Sequence, residues 1–404
     1  MPLSSPRLPF VVVALMFAFS VMNYFDRTIM SIAGPAVMKD LSLTPTQMGL
    51  VYSSFLFAYA LCMMPAGRLV DWLGARTSLI VMGFGAALTT GLTGLGGTLP
   101  ILAGIRLLMG VFTAPLYPAC GRMSADWIAS VHLGRVQGLI IGGSSLGGAV
   151  SPLLFTALMS RWGWRTSFVI AAAATAALAL AWTLVVPERP SVPPVARSSS
   201  TSWRQLLTNR NLLWLTAAYG AVGYFSYIFY YWIYFYFGEI RKMGYEQSAR
   251  FTTILFIVTG VMIPGGGWLS DRLTKAYGEQ FGRRAVPIAG LTLSAVLLCA
   301  GTFTTGTWTT VALFALSMGC ATVCEGPFWA MTISLGREQV GAACSILNTG
   351  SNVAGFIAPV LTPYIASYAG WSWGLYFGCS VVLLGALACW RVNLNPETSA
   401  APSH

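Results

Sequence analysis

The chain has 404 residues, 56% hydrophobic and 9% charged, with a mean hydropathy of +0.69. A soluble domain carries about 25% charged residues, so composition excludes a soluble globular protein. Apolar stretches of about 20 residues recur along the whole length, which is the signature of membrane-spanning helices rather than of a barrel. The net charge of +11 is expected to follow membrane topology and not nucleic-acid binding.

Hydropathy predicts twelve spans, at about 10–32, 46–67, 77–96, 99–121, 136–159, 166–186, 211–237, 248–268, 285–304, 307–333, 341–366 and 372–391. Residues 187–210 differ in kind. They run Pro187, Glu188, Arg189, Pro190 and continue to the polar run Ser198–Ser202, which reads as a linker between six-span halves at 1–186 and 211–404. No cleavable signal is evident, since the apolar run from Phe10 continues into a charged segment. With the N-terminus in the cytoplasm, 15 of the 23 basic residues fall inside, six outside, and Arg27 and Arg106 within spans. That bias predicts both termini inside.

The eight cysteines lie in or beside apolar spans without metal-ligand spacing, and there are only two histidines. Cys320 and Cys324 share a helix face, but small packing residues are the simpler reading. Neither a metal nor a disulfide framework is expected, and no nucleophile–histidine pairing suggests an enzyme.

Internal repeats follow the division into halves. Gly148, Pro152, Gly163 and Trp164 recur 207 residues later as Gly355, Pro359, Gly370 and Trp371. Gly67 and Asp71 recur as Gly267 and Asp271. Gly110 to Pro115 aligns with Thr322 to Pro327 at an offset of 212. Two homologous halves imply a substrate site near the bilayer midplane.

Asn23-Tyr24-Phe25-Asp26-Arg27 places an acid and a base within the first span. Each costs roughly 2.5–3.5 kcal/mol at a helix centre on insertion scales, so function is the default reading. Adjacent residues project about 100° apart on a helix, so Asp26 and Arg27 are not a mutual pair. Tyr24 and Arg27 share a face that reads as substrate-facing, with Asp26 turned toward neighbouring helices; snorkelling to the interface is the alternative for Arg27.

Between spans two and three the sequence Gly67-Arg68-Leu69-Val70-Asp71-Trp72-Leu73-Gly74-Ala75-Arg76 resembles the signature loop of the major facilitator superfamily. A second copy runs from Gly267 through Asp271 and Arg272 to Gly282-Arg283-Arg284. Glycines there would let helices turn tightly, and Asp71, Arg76, Asp271 and Arg272 would form a conformational latch. Trp72 departs from the usual Arg. More narrowly, the chain resembles the anion:cation symporter family, on Asn23 to Arg27, Met48-Gly49, Pro65-Ala66-Gly67, Gly104-Ile105-Arg106 to Gly110, Pro115 to Pro118, Glu325 to Trp329, and Asn348 to Asn352. Its relatives include bacterial sugar-acid carriers and animal vesicular glutamate and sialic acid carriers. The resemblance implies an all-α fold of twelve transmembrane helices in two pseudo-symmetric six-helix bundles.

It also implies site residues. Arg106 suits a carboxylate, because its planar fork makes two parallel hydrogen bonds; its expected partners are the substrate and Asp26, a structural pair with Asp26 being the alternative. Asp26 is the first candidate for a coupling proton, poised between burial, which favours the neutral acid, and arginine, which favours the anion. Family members often carry Glu where this chain has Thr113. By the 212-residue alignment Glu325 is expected to replace that carboxyl across the pseudo-twofold, or else to brace a helix break. Tyr224, Tyr227 and Tyr231, at i, i+3 and i+7 of the aromatic span seven, would line the cavity or belong to an interfacial belt. Asn348 and Asn352, and Tyr59 in span two, are further substrate contacts, with interhelical hydrogen bonding the alternative. Gly142 to Gly148 is a packing face.

The resulting expectation is a proton-driven importer of a small organic carboxylate in the plasma (inner) membrane, monomeric, without cofactor, metal or nucleic-acid partner, and surrounded by lipid. Sodium coupling and export of organic anions or drugs are the alternatives within the fold. A membrane sensor lies further off.

Overall fold

The structure, a computed structural model, describes residues 8–127, 133–187, 206–336 and 340–394. Among them the elements are α-helices and a π-helical turn, with no strand. The helices are α1 (Leu8–Leu41), α2 (Pro45–Leu73), α3 (Ala75–Leu95), α4 (Leu99–Thr113), α5 (Leu116–Trp127), α6 (Leu133–Val185), α7 (Arg210–Phe235, running into the π turn Tyr236–Ile240), α8 (Tyr245–Tyr277), α9 (Glu279–Phe303), α10 (Thr307–Thr322), α11 (Glu325–Gly336), α12 (Val340–Ala369) and α13 (Trp371–Trp390). Ten helical stretches are long and apolar enough to cross a membrane. One, Leu139–Val185, contains Gly163 at φ 71° and so supplies spans five and six. The 30-residue α12 is span eleven, which completes the twelve.

The backbone repeats where side chains disfavour it. Ser42 and Lys242 both stand at φ 54°, Gly74 and Gly278 at 81° and 86°, and Gly163 and Gly370 at 71° and 92°. Positive φ is uncommon outside glycine, so these three pairs mark equivalent corners of the two halves. The tight turn of the signature loop is therefore made by Gly74 and Gly278. Gly67 and Gly267 of the same loops lie inside α2 and α8, away from the turn. The α11 backbone comes close to Gly267 because Gly326 lacks a Cβ, which would stand 3.0 Å from the Gly267 Cα.

Spans four and ten break alike. α4 gives way to α5 after Thr113, and α10 to α11 after Thr322. Just before each break a threonine hydroxyl donates one turn back, Thr113 to the Met109 carbonyl (2.8 Å) and Thr322 to that of Met318 (3.0 Å). Each methionine is followed by glycine. The structural offset is thus 209 residues, not 212. Thr113 corresponds to Thr322, and Glu325 to Leu116, so Glu325 is not the pseudo-symmetric replacement of a span-four carboxyl. The shared proline misled the alignment: Pro115 sits in the break, whereas Pro327 occupies the first turn of α11, where a missing N–H costs nothing.

Contacts group the chain into two units, Met1–Arg197 with Tyr231–Ile257, and Ser198–Tyr230 with Val258–His404. The C-terminal end of α7 joins the first because Tyr231 stacks on Tyr52 (4.7 Å) and Trp232 meets Tyr52 edge-on (5.4 Å). Tyr234 shares a hydrogen bond with Thr156 (3.1 Å).

Lipid tails are as apolar as leucine, so helices associate through close packing of small residues. Gly143 and Gly147 of α6 lie against α1, where a Cβ on Gly147 would strike the Val21 carbonyl and come within 3.2 Å of the Phe25 nitrogen. Thr28 adds a 2.7 Å hydrogen bond to Ser151. In the second unit Gly223 faces Ser351, and Gly355 seats the Tyr227 ring. This packing fixes the turn of α1 that carries Asp26 and Arg27. Gly147→Leu is expected to destabilise the folded protein by about 1–3 kcal/mol through overpacking, read as a lower melting temperature in detergent. Gly142→Leu, whose Cβ meets nothing within 4 Å, should melt like the parent.

Candidate functional site

In the first unit, polar groups gather around one turn of α1. Asp26, Arg27 and Arg106 are all buried. Asp26 accepts a 2.8 Å hydrogen bond from Thr175 of α6 through Oδ2, while Oδ1 has no hydrogen-bond partner. Arg27 points elsewhere, with its guanidinium 5.4 Å from the Tyr24 ring centre and 5.1 Å from that of Phe55. The two neighbours thus diverge as helix geometry requires.

Arg106 corrects an expectation. Among the described residues no carboxylate lies within ion-pair distance of it. Its Nη2 donates to the Arg27 carbonyl (3.2 Å). Its Nη1 makes a long contact to the Asp26 carbonyl (3.5 Å) and one to Met109 Sδ (2.9 Å). The fork grips the backbone of α1 while the Asp26 carboxyl turns to α6, so the two charges meet the same turn without pairing. The guanidinium also lies 5.1 Å from the Phe55 ring centre, so Phe55 presents its π system to two cations. Tyr52, Tyr231 and the Asp26 carboxyl stand close enough to Arg106 to interact with its charge.

Buried polar atoms are seldom left unsatisfied. Here Asn23 Oδ1, Asp26 Oδ1 and Arg106 Nε are among the buried atoms without a hydrogen-bond partner. Tyr59 stacks on Phe55 (5.7 Å), and Tyr117, bonded to Ser20 (3.3 Å), stands near Tyr24 and Tyr59. Tyr24 and Tyr59 therefore belong to the same aromatic wall as Arg27.

The second unit has its own polar centre. Glu325, first residue of α11, accepts a 2.7 Å hydrogen bond from Tyr219 of α7, whose ring packs edge-on against Phe328 and Trp329. Asn352 donates to the Asn348 carbonyl (2.9 Å) and accepts from Tyr227 at 3.5 Å. Tyr224, Tyr227 and Tyr231, expected on one cavity face, each meet different partners, and Tyr224 turns away from Asn352. Its hydroxyl meets Thr362 (3.4 Å) and its ring Phe377 (5.7 Å), because residues three and seven positions apart on one helix stand at different depths against different neighbours.

The expected latch also divides. Among the described residues Arg76 meets no acid, and it donates to the carbonyls of Thr183 (2.8 Å) and Val186, closing the end of span six. The side chain of Asp71 lies outside the described residues. Asp271 pairs with Arg283 (2.6 Å), whereas Arg272 lies over the Trp268 ring at 4.3 Å. Phe55, Thr175 and Tyr219 were missed as site residues. Phe55 and Thr175 look like ordinary apolar or helix-face residues, and Tyr219 is masked by the many aromatic residues of span seven.

Comparison with known proteins fits this architecture. The model of the Major Facilitator Superfamily matches residues 16–278 and 273–404. The chain is 29% identical to a probable sulfoacetate transporter of Cupriavidus necator, covering 92% of this chain and 90% of that one. It is 29% identical to a hexuronate transporter of Bacillus subtilis (95% and 93%) and 24% identical to a D-galactonate transporter of Escherichia coli O6:H1 (95% and 95%). Its fold matches the crystal structure of a bacterial homolog to the human lysosomal transporter Spinster, inward-facing and unoccupied, with a TM-score of 0.84, 15% identity, and coverage of 96% and 98%. A multi-pass membrane transporter and not an enzyme, the chain belongs to the Major Facilitator Superfamily.

Proposed function

We propose that this transporter imports a small organic carboxylate, a sugar acid, aromatic acid or similar, by proton symport through alternating access. The observation that carries the reading is Arg106, fully buried and without a carboxylate partner among the described residues, its Nε unsatisfied. A buried cation without a counter-ion is costly, and an anionic cargo removes that cost. The relatives named above carry sulfoacetate, hexuronate and galactonate, all organic acids.

In this reading Arg106 and Arg27 take the carboxylate, with Tyr24 and Tyr59 of the same unit meeting the rest of the cargo; Tyr227, Asn348 and Asn352 are the second unit's own cargo-contact candidates. Asp26 and Glu325 bind the coupling proton. Asp26 retains one unsatisfied oxygen, and Glu325 can exchange its Tyr219 hydrogen bond for a proton. Cargo and proton together neutralise the buried charges, and occlusion from water becomes favourable. The protein works as a monomer in the inner membrane, both termini cytoplasmic, with bundles at 1–186 and 211–404 joined by the linker 187–210 and with no cofactor. Residues around Gly67, Asp71, Arg76, Gly267, Asp271 and Arg272 brace one end of each bundle during switching.

In proteoliposomes, an outside-acid gradient should drive accumulation of the cargo acid. Uptake that needs sodium and ignores the proton gradient would overturn proton symport, and transport only down an inside-acid gradient would overturn import. Arg106→Ala should abolish uptake in protein that still elutes as a folded species; near-normal uptake refutes its role. Glu325→Gln should damage proton-driven accumulation and spare counterflow exchange. If both survive, Glu325 is structural. Phe55→Leu removes the π face beneath both guanidiniums, a loss of ~0.5–2 kcal/mol. Anion affinity measured by calorimetry should fall roughly 2- to 30-fold, with Phe55→Tyr close to the parent.

A further inference from the structure

A groove of about 820 Å³ runs along the second unit between α7, α12 and α13, within the range of ~300–1,000 Å³ common to small-molecule sites. Ala217, Gly220 and Ala354 line it with little side-chain bulk, and Ile357, Phe377 and Leu384 are its larger apolar residues. It opens away from the packed interior: Leu384 is 64% exposed and Ile357 40%. Among its lining residues one is charged, Arg391, at the end of α13 where that helix leaves the apolar span.

The charge at this end is concentrated and unpaired. The Arg391 guanidinium lies 5.4 Å from the Trp214 ring centre, which leaves N–H donors in its plane. Arg210, one turn before Trp214, is exposed. Arg284 donates to the Trp390 carbonyl while its Nε is buried with no hydrogen-bond partner. Among the described residues no carboxylate pairs with any of the three.

We propose that this groove is a binding site for an anionic glycerophospholipid, one acyl chain lying along α7, α12 and α13 and the phosphate held by Arg391, with Arg210 and Arg284 beside it. Basic pockets between transmembrane helices at the membrane surface select anionic headgroups, and a groove poor in side-chain bulk suits a thin, flexible chain. A second copy of this protein fits less well, since its matching surface would bring three more arginines against these three. A small hydrophilic carboxylate finds few polar side chains along the groove, Trp214, Thr216 and Tyr224 among many apolar ones. Tyr224, placed by its sequence spacing among the cargo residues, lines this groove and belongs with the lipid.

The test uses the full-length protein in detergent, offered phosphatidylglycerol or phosphatidylethanolamine with identical acyl chains. Native mass spectrometry reads bound lipid, and thermal melting reads its effect. The parent should retain phosphatidylglycerol in preference and melt higher with it. Arg391→Gln should lower that preference about fivefold, the equivalent of ~1 kcal/mol per basic residue at the surface. Ala217→Trp, which fills the groove, should lose both lipids while melting like the parent in lipid-free detergent; Val353→Trp replaces it if that variant misfolds. Equal retention of the two lipids by the parent, or an undiminished preference in Arg391→Gln, overturns the proposal. So does a dimer mass that Ala217→Trp abolishes, since the groove would then join two copies.

Discussion

The first bundle is organised by how it keeps a buried arginine in place with no carboxylate in ion-pair distance among the described residues. Arg106 reaches across to α1 and donates to the main-chain carbonyls of Asp26 and Arg27. Carbonyl dipoles compensate a cation only in part, which under the proposed function leaves the site open to an anion. An ion pair with Asp26 would have quenched it. Glycine packing of α6 against α1 holds the carbonyls where Arg106 can use them, and Thr175 draws the Asp26 carboxyl aside. Phe55 then serves as a neutral surface against which two like charges can approach. Each of these contacts depends on the position of the one helical turn.

The second bundle repeats the scaffold but not the chemistry. Its corners, its broken span and its threonine-to-carbonyl bond before the break all have counterparts in the first. At the position equivalent to Arg106, 209 residues on, stands Ala315. The polar groups there are an acid bonded to a tyrosine and two asparagines one turn apart. The duplicated frame thus carries two arginines and an acid in one copy, and an acid bonded to a tyrosine in the other.

Much of the fold could be read from the sequence because the bilayer forces it. Backbone groups must be satisfied within each helix, so apolar length alone locates the spans, and Gly163 and Gly370 mark the same corner by the same conformational need. Side-chain partners were harder to read. Helical spacing correctly separated Asp26 from Arg27, since direction follows from the pitch. It could not say whether Arg106 would choose a carboxylate or a carbonyl, because that choice rests on where Thr175 and α6 stand. The same limit applies to Tyr224, Tyr227 and Tyr231, which share a helix but meet Thr362, Asn352 and Tyr52 in turn. The register of span ten was misjudged by three residues because a proline is tolerated both in a break and just after one.

The central claim is that the buried arginine centre reads negative charge on the cargo. Thermal melting of the purified protein with an organic acid and with the neutral amide of the same acid tests it most directly, since a ligand that binds the folded state raises its stability. The account predicts that at least one sugar acid or short carboxylate raises the melting temperature and that its amide does not. Equal stabilisation by acid and amide would contradict it.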